Sequence, residues 1–323
     1  MPVINKPIQY FAANTWNGSG TSTVTVDFGF QPDLVWIKPR NNVASNANSH
    51  ILIDSVRGSD KILRSDTTGA EVTESNNIVA FTSTGITIGD SHNVNKNTTS
   101  QYVAWAWKKG ATQGFDIVTY TGTGVARTVS HSLGVAPSMM FVKNRTTATG
   151  WIVYHASVGN TGALILNGTN ATVTSSDYWN NTTPTSSQFT VGISNAGNQS
   201  GNSLVAYLFA EVAGFSKFGS YTGNGSADGP FVFCGFRPAF VMIKSSSSAV
   251  GNWLIQNSKT LGYNPSNSEL YANLSNAETT ADRTDLLSNG FKPRINSAEN
   301  NSSGVTYIYA AFAENPFKYA LAR

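Results

Sequence analysis

Three stretches of this chain share one pattern of apolar and polar positions: residues 29–38 read GFQPDLVWIK, residues 133–143 LGVAPSMMFVK and residues 235–244 GFRPAFVMIK. In each, a glycine-containing turn leads to a proline, an apolar run follows, and a lysine arrives six residues after the proline: Pro32/Lys38, Pro137/Lys143, Pro238/Lys244. Proline fixes φ and has no N–H to offer a ladder, so it belongs at the start or edge of a strand, after which side chains alternate faces. Leu34, Trp36 and Lys38 then share one face, and Val35 and Ile37 the other. Met139, Phe141 and Lys143 stand likewise against Met140 and Val142, and Phe240, Met242 and Lys244 against Val241 and Ile243. Both faces are apolar up to the lysine, which predicts an interior strand covered on two sides.

Other marks recur in the same register. WNGSG (residues 16–20), YTGTG (120–124) and YTGNG (221–225) each place an aromatic just before alternate glycines, and such turns connect strands. A phosphate-cradling role is disfavoured, because no helical pattern follows and the lysine-hydroxyl pair of a P-loop is missing. Short apolar strands are expected near 49–53, 151–154 and 253–255, with His50 standing where the later stretches have Trp151 and Trp253. Further strands are expected over 83–89, 186–192 and 288–293. The most hydrophobic runs, 102–107, 204–211 and 307–314, align on Trp107, Phe209 and Phe312, and are too short and aromatic for helices. Residues 8–11 offer a leading strand. The chain therefore reads as all-β, three tandem β-sandwich-like repeats of about 100 residues with boundaries 1–112, 113–213 and 214–323, joined closely enough to pack tightly.

Composition narrows the function. Only 12% of residues are charged, about half the usual share of roughly 25%, while 40% hydrophobic and 11% aromatic content supplies a core. A formal net charge of +3, with no basic cluster longer than Lys108–Lys109, argues against nucleic acid as a partner. No apolar run is long enough for membrane insertion, and residues 1–9 lack a signal peptide's apolar segment, so a soluble protein made in a cytoplasm is expected. Cys234 is alone, which rules out an intrachain disulfide and fits a small buried hydrophobe.

No GxSxG elbow occurs, and the four histidines are scattered. His131 and His155 read as a loop and a strand position rather than a metal pair, and Asp90-Ser-His92 is isolated. No carboxylate pair of the glycosidase kind stands out. The expectation is no catalytic residue, no metal and no cofactor. Glu211 and Glu314 are the recurring acids, and their place at strand ends pairs Lys143 with Glu211 and Lys244 with Glu314; Lys109 stands there in the first repeat. Trp16, Tyr120 and Tyr221, beside the glycine turns, are the candidate binding residues, since exposed rings stack on sugar faces; the alternative is that each plugs the end of its own module. Trp36, Trp107, Trp151 and Trp253 are assigned to the core.

The GF-x-P-x-x-V-x-IK stretch, the tryptophan-bearing strand and residues 307–320 together resemble the repeated modules of bacteriophage tail fibres and virion appendage proteins, of the marine and cyanobacterial phage type. The resemblance runs through all three repeats. It implies a non-enzymatic virion structural protein, located in the virion, contributing to host attachment. It also implies other virion proteins and a host-surface glycan as partners, and a homo-oligomer, with a trimer favoured over a pseudo-threefold monomer. Alternatives are a capsid decoration protein, a carbohydrate-binding module or a polysaccharide-degrading tailspike. Heptads, G-X-Y runs and a separate amino-terminal anchor are missing from the pattern.

Overall fold

The computed structural model describes residues 4, 6–20, 23–42, 48–260, 264 and 266–313, and within them the chain is all-β. Three antiparallel sheets share one strand order. The first runs Phe11–Asn17, Gln101–Trp107, Leu34–Pro39, Ile51–Asp54, Gly58–Leu63, Val72–Thr73. The second runs Phe115–Thr121, Ser203–Phe209, Met139–Asn144, Ile152–His155, Gly162–Ile165, Val173–Thr174. The third opens Ser216–Thr222, Thr306–Ala313, Pro238–Ser245, Leu254–Asn257, Ser266–Tyr271 and continues through Thr279–Leu287 and Gly290–Pro293 to Val232–Phe233 at its edge. Each proline–lysine strand lies inside its sheet, between the last strand of its segment and a short hairpin partner.

Those strands are apolar on both sides because both sides are covered. Leu34, Trp36, Met139, Phe141, Phe240 and Met242 enter one cluster common to the three sheets, while Val35 and Ile37, Met140 and Val142, Val241 and Ile243 enter three separate clusters. Small outer strands close the separate clusters: Val24–Asp27, Gly85–Ile88 and Ile78–Phe81 over the first sheet, Arg127–Ser130 with Gln188–Val191 over the second, and Val232–Phe233 with Gly290–Pro293 over the third.

The three segments also share a core. The largest aromatic side chains face the shared centre, where Trp107, Phe209 and Phe312 touch one another, with ring centroids 6.0, 5.8 and 5.6 Å apart. The packing there leaves a void of only about 10 Å³. A single sheet of this length cannot bury two apolar faces by itself, so each gives one face to its own cover and the other to its neighbours. One difference concerns the first segment. A 3-10 turn, Pro7–Gln9, stands where a leading strand was expected, and the strand begins at Phe11. Trp16 lies in that strand, as Tyr120 and Tyr221 do in Phe115–Thr121 and Ser216–Thr222.

Candidate functional site

The recurring lysines mark the joints between segments. Each is fully buried, with the ammonium spent on backbone carbonyls, one of them across the joint. Lys38 Nζ donates to Pro39 O (2.7 Å) and Ser275 O (3.4 Å), Lys143 Nζ to Thr149 O (2.6 Å) and Thr68 O (2.9 Å), and Lys244 Nζ to Ser245 O (2.8 Å) and Thr169 O (3.0 Å). The first sheet thus reaches the third, the second the first, and the third the second, closing a ring. Burial lowers all three lysine pKa values to about 8, and at Lys38 the carboxylates of Asp66 and Glu278 offset part of that shift.

The expected Lys143–Glu211 pair does not form. Lys143 points across the joint, while Glu211 lies beyond its strand's end and binds Lys217 at 2.7 Å. The expected partner of Lys244, Glu314, lies outside the described residues.

A second ring contact runs through the aromatic strands. Trp151 Nε1 donates to Arg64 O at 2.8 Å and Trp253 Nε1 to Ile165 O at 2.9 Å. At the third joint His50 takes the tryptophan's place: Nε2 meets Tyr271 O at 2.9 Å, and Nδ1 accepts from Trp36 Nε1 at 2.9 Å. The bulk lost at position 50 returns as Trp36, where the other central strands carry Phe141 and Met242. Burial, then the Lys38 charge, holds His50 neutral by pushing its pKa well below the usual value. His155 is likewise buried, its pKa lowered to about 4, with Nε2 on Tyr309 O at 3.2 Å.

Charge reinforces two joints. Arg40 grips Glu278 through two bonds of 2.9 Å, and Arg145 grips Glu71 through two of 2.8 Å. Glu71 also accepts from Arg57, which is buried against Asp54, and Tyr207 Oη donates to Asp54 Oδ2 at 2.8 Å. At the remaining joint Thr172 donates through N and Oγ1 to Ser246 O, both at 2.9 Å.

Trp16, Tyr120 and Tyr221 are half-buried, with their polar atoms tied down: Trp16 Nε1 to Val94 O (2.8 Å), Tyr120 Oη to Gly197 O (2.6 Å), Tyr221 Oη to Asn300 O (2.7 Å). Trp16 stacks on Tyr102 and Tyr221 on Tyr307, while Tyr120 meets Phe189 edge-on. The geometry is that of plugs at module ends, so these rings are set aside as stacking platforms. The residues that organise the adjoining turns were missed. Buried Asn95, Asn198 and Asn301 accept from the backbone N–H of Ser19, Thr123 and Asn224 and donate to Gly89 O, Gly192 O and Ser226 O. They clamp turns whose glycines, Gly20, Gly124 and Gly225, adopt φ of +81°, +75° and +70°. The signal was present as S-x-x-x-N: Ser91, Ser194 and Ser297 stand four residues before each asparagine, capping the intervening turn.

The loops that follow the central strands lie at these joints: Lys143 holds Thr149 O beside Thr68 O, and Ser246 O accepts from Thr172; residues 43–47 lie outside the described residues. Beside His50 the joint opens into a polar cleft of about 420 Å³ between Ser49, Asp66 and Thr67 on one wall and Asn273, Ser275 and Asn276 on the other. Asp66 stands where the other segments carry Asn167 and Asn273, whose Oδ1 atoms accept from Trp151 N and Trp253 N at 2.8 and 2.9 Å. Its own Oδ1 is buried without a partner, and burial raises its pKa against the bond from Ser49. One carboxyl among amides and hydroxyls can accept hydrogen bonds from a polyol. Among the described residues no cluster of three histidine, cysteine or acidic side chains is placed to hold a metal ion. His131 is half-buried in a loop, its Nε2 3.2 Å from Thr185 O. Cys234 is buried, which raises its thiol pKa to about 12.

Residues 6–316 match the family described as "Domain of unknown function (DUF7483)", and the chain belongs to that family. No curated protein matches it. A solved structure titled "Crystal Structure of the STIV MCP" aligns with 62% of this chain and 95% of its own, at 8% identity and a TM-score of 0.20, a likeness too slight to bear on fold or function.

Proposed function

We propose that this protein is a non-enzymatic structural component of a bacteriophage virion, in which three β-modules of one chain form a pseudo-threefold unit that contributes to host attachment. The observation that carries the reading is the closed ring of joints, Lys38 to Ser275, Lys143 to Thr68 and Lys244 to Thr169, around the touching rings of Trp107, Phe209 and Phe312. A ring closed within one chain does the work of a homotrimer, so a monomer replaces the trimer as the favoured unit. The resemblance of the repeated strands to phage appendage modules supports the virion assignment. Loops rich in Asn, Ser, Thr and Gly meet at the joints and present adaptable hydrogen-bonding groups, and the cleft at Asp66 suits a neutral glycan. Weak hydroxyl contacts of this kind gain strength when several copies act together.

Light scattering of the purified chain, adsorption to host cells and competition with intact phage test the proposal. A monomer that adsorbs and competes is expected. Absence of both, with the protein mapped to the capsid shell, refutes attachment and leaves decoration, while release of reducing sugar from host envelope points to a spike enzyme.

A further inference from the structure

The outer strands of the three modules differ in one respect that the fold does not require. Val26, Val129 and Val232 all point inward and pair opposite Ile86, Phe189 and Phe291. Their flanking residues point outward: Thr25 and Asp27 in the first module, Thr128 and Ser130 in the second, but Phe231 and Phe233 in the third. Phe231 is 48% exposed and Phe233 59%. The tip of each ring reaches a glycine. A Cβ at Gly290 would stand 3.1 Å from Phe231 Cζ, and one at Gly235 would stand 3.7 Å from Phe233 Cζ. Neither glycine carries a side chain to cover the ring beside it, and about half of each phenylalanine stays exposed. The two side chains are offset along the chain by about 7 Å, the two-residue strand repeat.

The surroundings are polar and charge-balanced. Asp285 pairs opposite Lys292 on the same outward face, with Leu287 opposite Gly290. Lys292 binds Asp228 at 2.5 Å, and Arg294 approaches Asp285 at 3.4 Å. Each cation has its carboxylate, so the rim offers hydrogen bonds without a net field for an anion. The exposed ring area is on the order of 200 Å², against about 800 Å² per partner in a stable protein interface. The strand Val232–Phe233 is also too short an edge to template a further strand.

We infer that Phe231 and Phe233 form a stacking platform for a neutral oligosaccharide, two sugar rings lying on the two aromatic faces with their hydroxyls bonded by the Asp228, Asp285, Lys292 and Arg294 rim. Sugar C–H groups meet the electron-rich ring faces, and that contact needs flat, exposed aromatics rather than a deep pocket. The site is separate from the cleft at Asp66 and does not depend on it.

An array of neutral glycans probed with the full-length protein tests this. Phe231→Thr/Phe233→Ser, which reproduces the second module's side chains, is expected to lose at least tenfold in signal with an unchanged melting temperature, and Phe231→Tyr/Phe233→Tyr to retain it. The amide resonances of Gly235 and Gly290 in the unmutated protein are expected to shift on titration with the glycan that binds, a readout that needs no variant. The inference is overturned if the unmutated protein binds no neutral glycan, if the Thr/Ser variant binds as well as the original, or if the two glycine amides do not move. It is also overturned if Asp66→Asn alone abolishes binding, which would place the sugar in the cleft and leave the attachment proposal standing.

Discussion

At the scale of single residues, the positions that matter most are those where one module departs from the others. His50 and Trp36 exchange bulk: a tryptophan at 50 would meet an indole already present at 36, whereas the segments that carry Trp151 and Trp253 have Phe141 and Met242 at the position of Trp36. His50→Trp alone is expected to overpack and cost about 1–3 kcal/mol. His50→Trp/Trp36→Phe rebuilds the second module's arrangement and should recover most of that loss, so a double-mutant cycle by chemical denaturation should show strong coupling. Trp107→Ala or Phe312→Ala removes one corner of the central aromatic triangle and should cost roughly 3–5 kcal/mol, whereas His131→Ala, at a half-exposed loop, should cost little. A large loss for His131→Ala in the same denaturation series would contradict that ranking.

At the scale of elements, the proline–lysine strands and their two apolar faces were legible, because period-two burial is written in side chains. The alignment of Trp107, Phe209 and Phe312 was legible too, but not that the three meet, since sequence spacing does not say which core a strand face enters. The lysine acceptors were hidden for a plainer reason: Ser275 O, Thr68 O and Thr169 O are backbone atoms, and no residue type announces them. The search for a charged partner led to Glu211 instead. The Asp54–Arg57–Glu71–Arg145 chain was missed because it crosses a joint: Asp54, Arg57 and Glu71 belong to the first segment, and Arg145 reaches Glu71 only when the first and second sheets pack. Its consequence is testable. Arg57→Ala leaves Asp54 buried without its cation and should cost about 3–5 kcal/mol, and Arg57→Lys should recover only part, because one ammonium cannot span both carboxylates. Guanidinium melts of the two variants would show whether Lys at 57 does as well as Arg, the result that would contradict the bidentate account.

At the scale of the whole molecule, the shared centre makes folding a single event. Each sheet buries one face only against the other two, so removing any one leaves Trp36, Phe141 or Met242 and their neighbours facing water. Calorimetry should show one transition with matching calorimetric and van't Hoff enthalpies, and a chain ending at residue 213 should fail to fold as a monomer; three resolved transitions, or a well-folded truncated monomer, would restore independent sandwiches. The same burial sets the pH dependence. Burial lowers the three lysines to about 8 in the folded chain from an ordinary 10.5, so between those values the unfolded chain binds more protons and stability rises with pH. On the acid side His50 and His155 are held neutral below the usual 6.5, and their contribution is lost as pH falls from 6.5, through about 4 for His155. Denaturant midpoints should therefore climb from pH 8 to 10 rather than fall, and Lys143→Met should flatten that climb. A midpoint that declines steadily above pH 8 would mean that the joint lysines keep their protons, and that carbonyl bonding outweighs burial at all three joints.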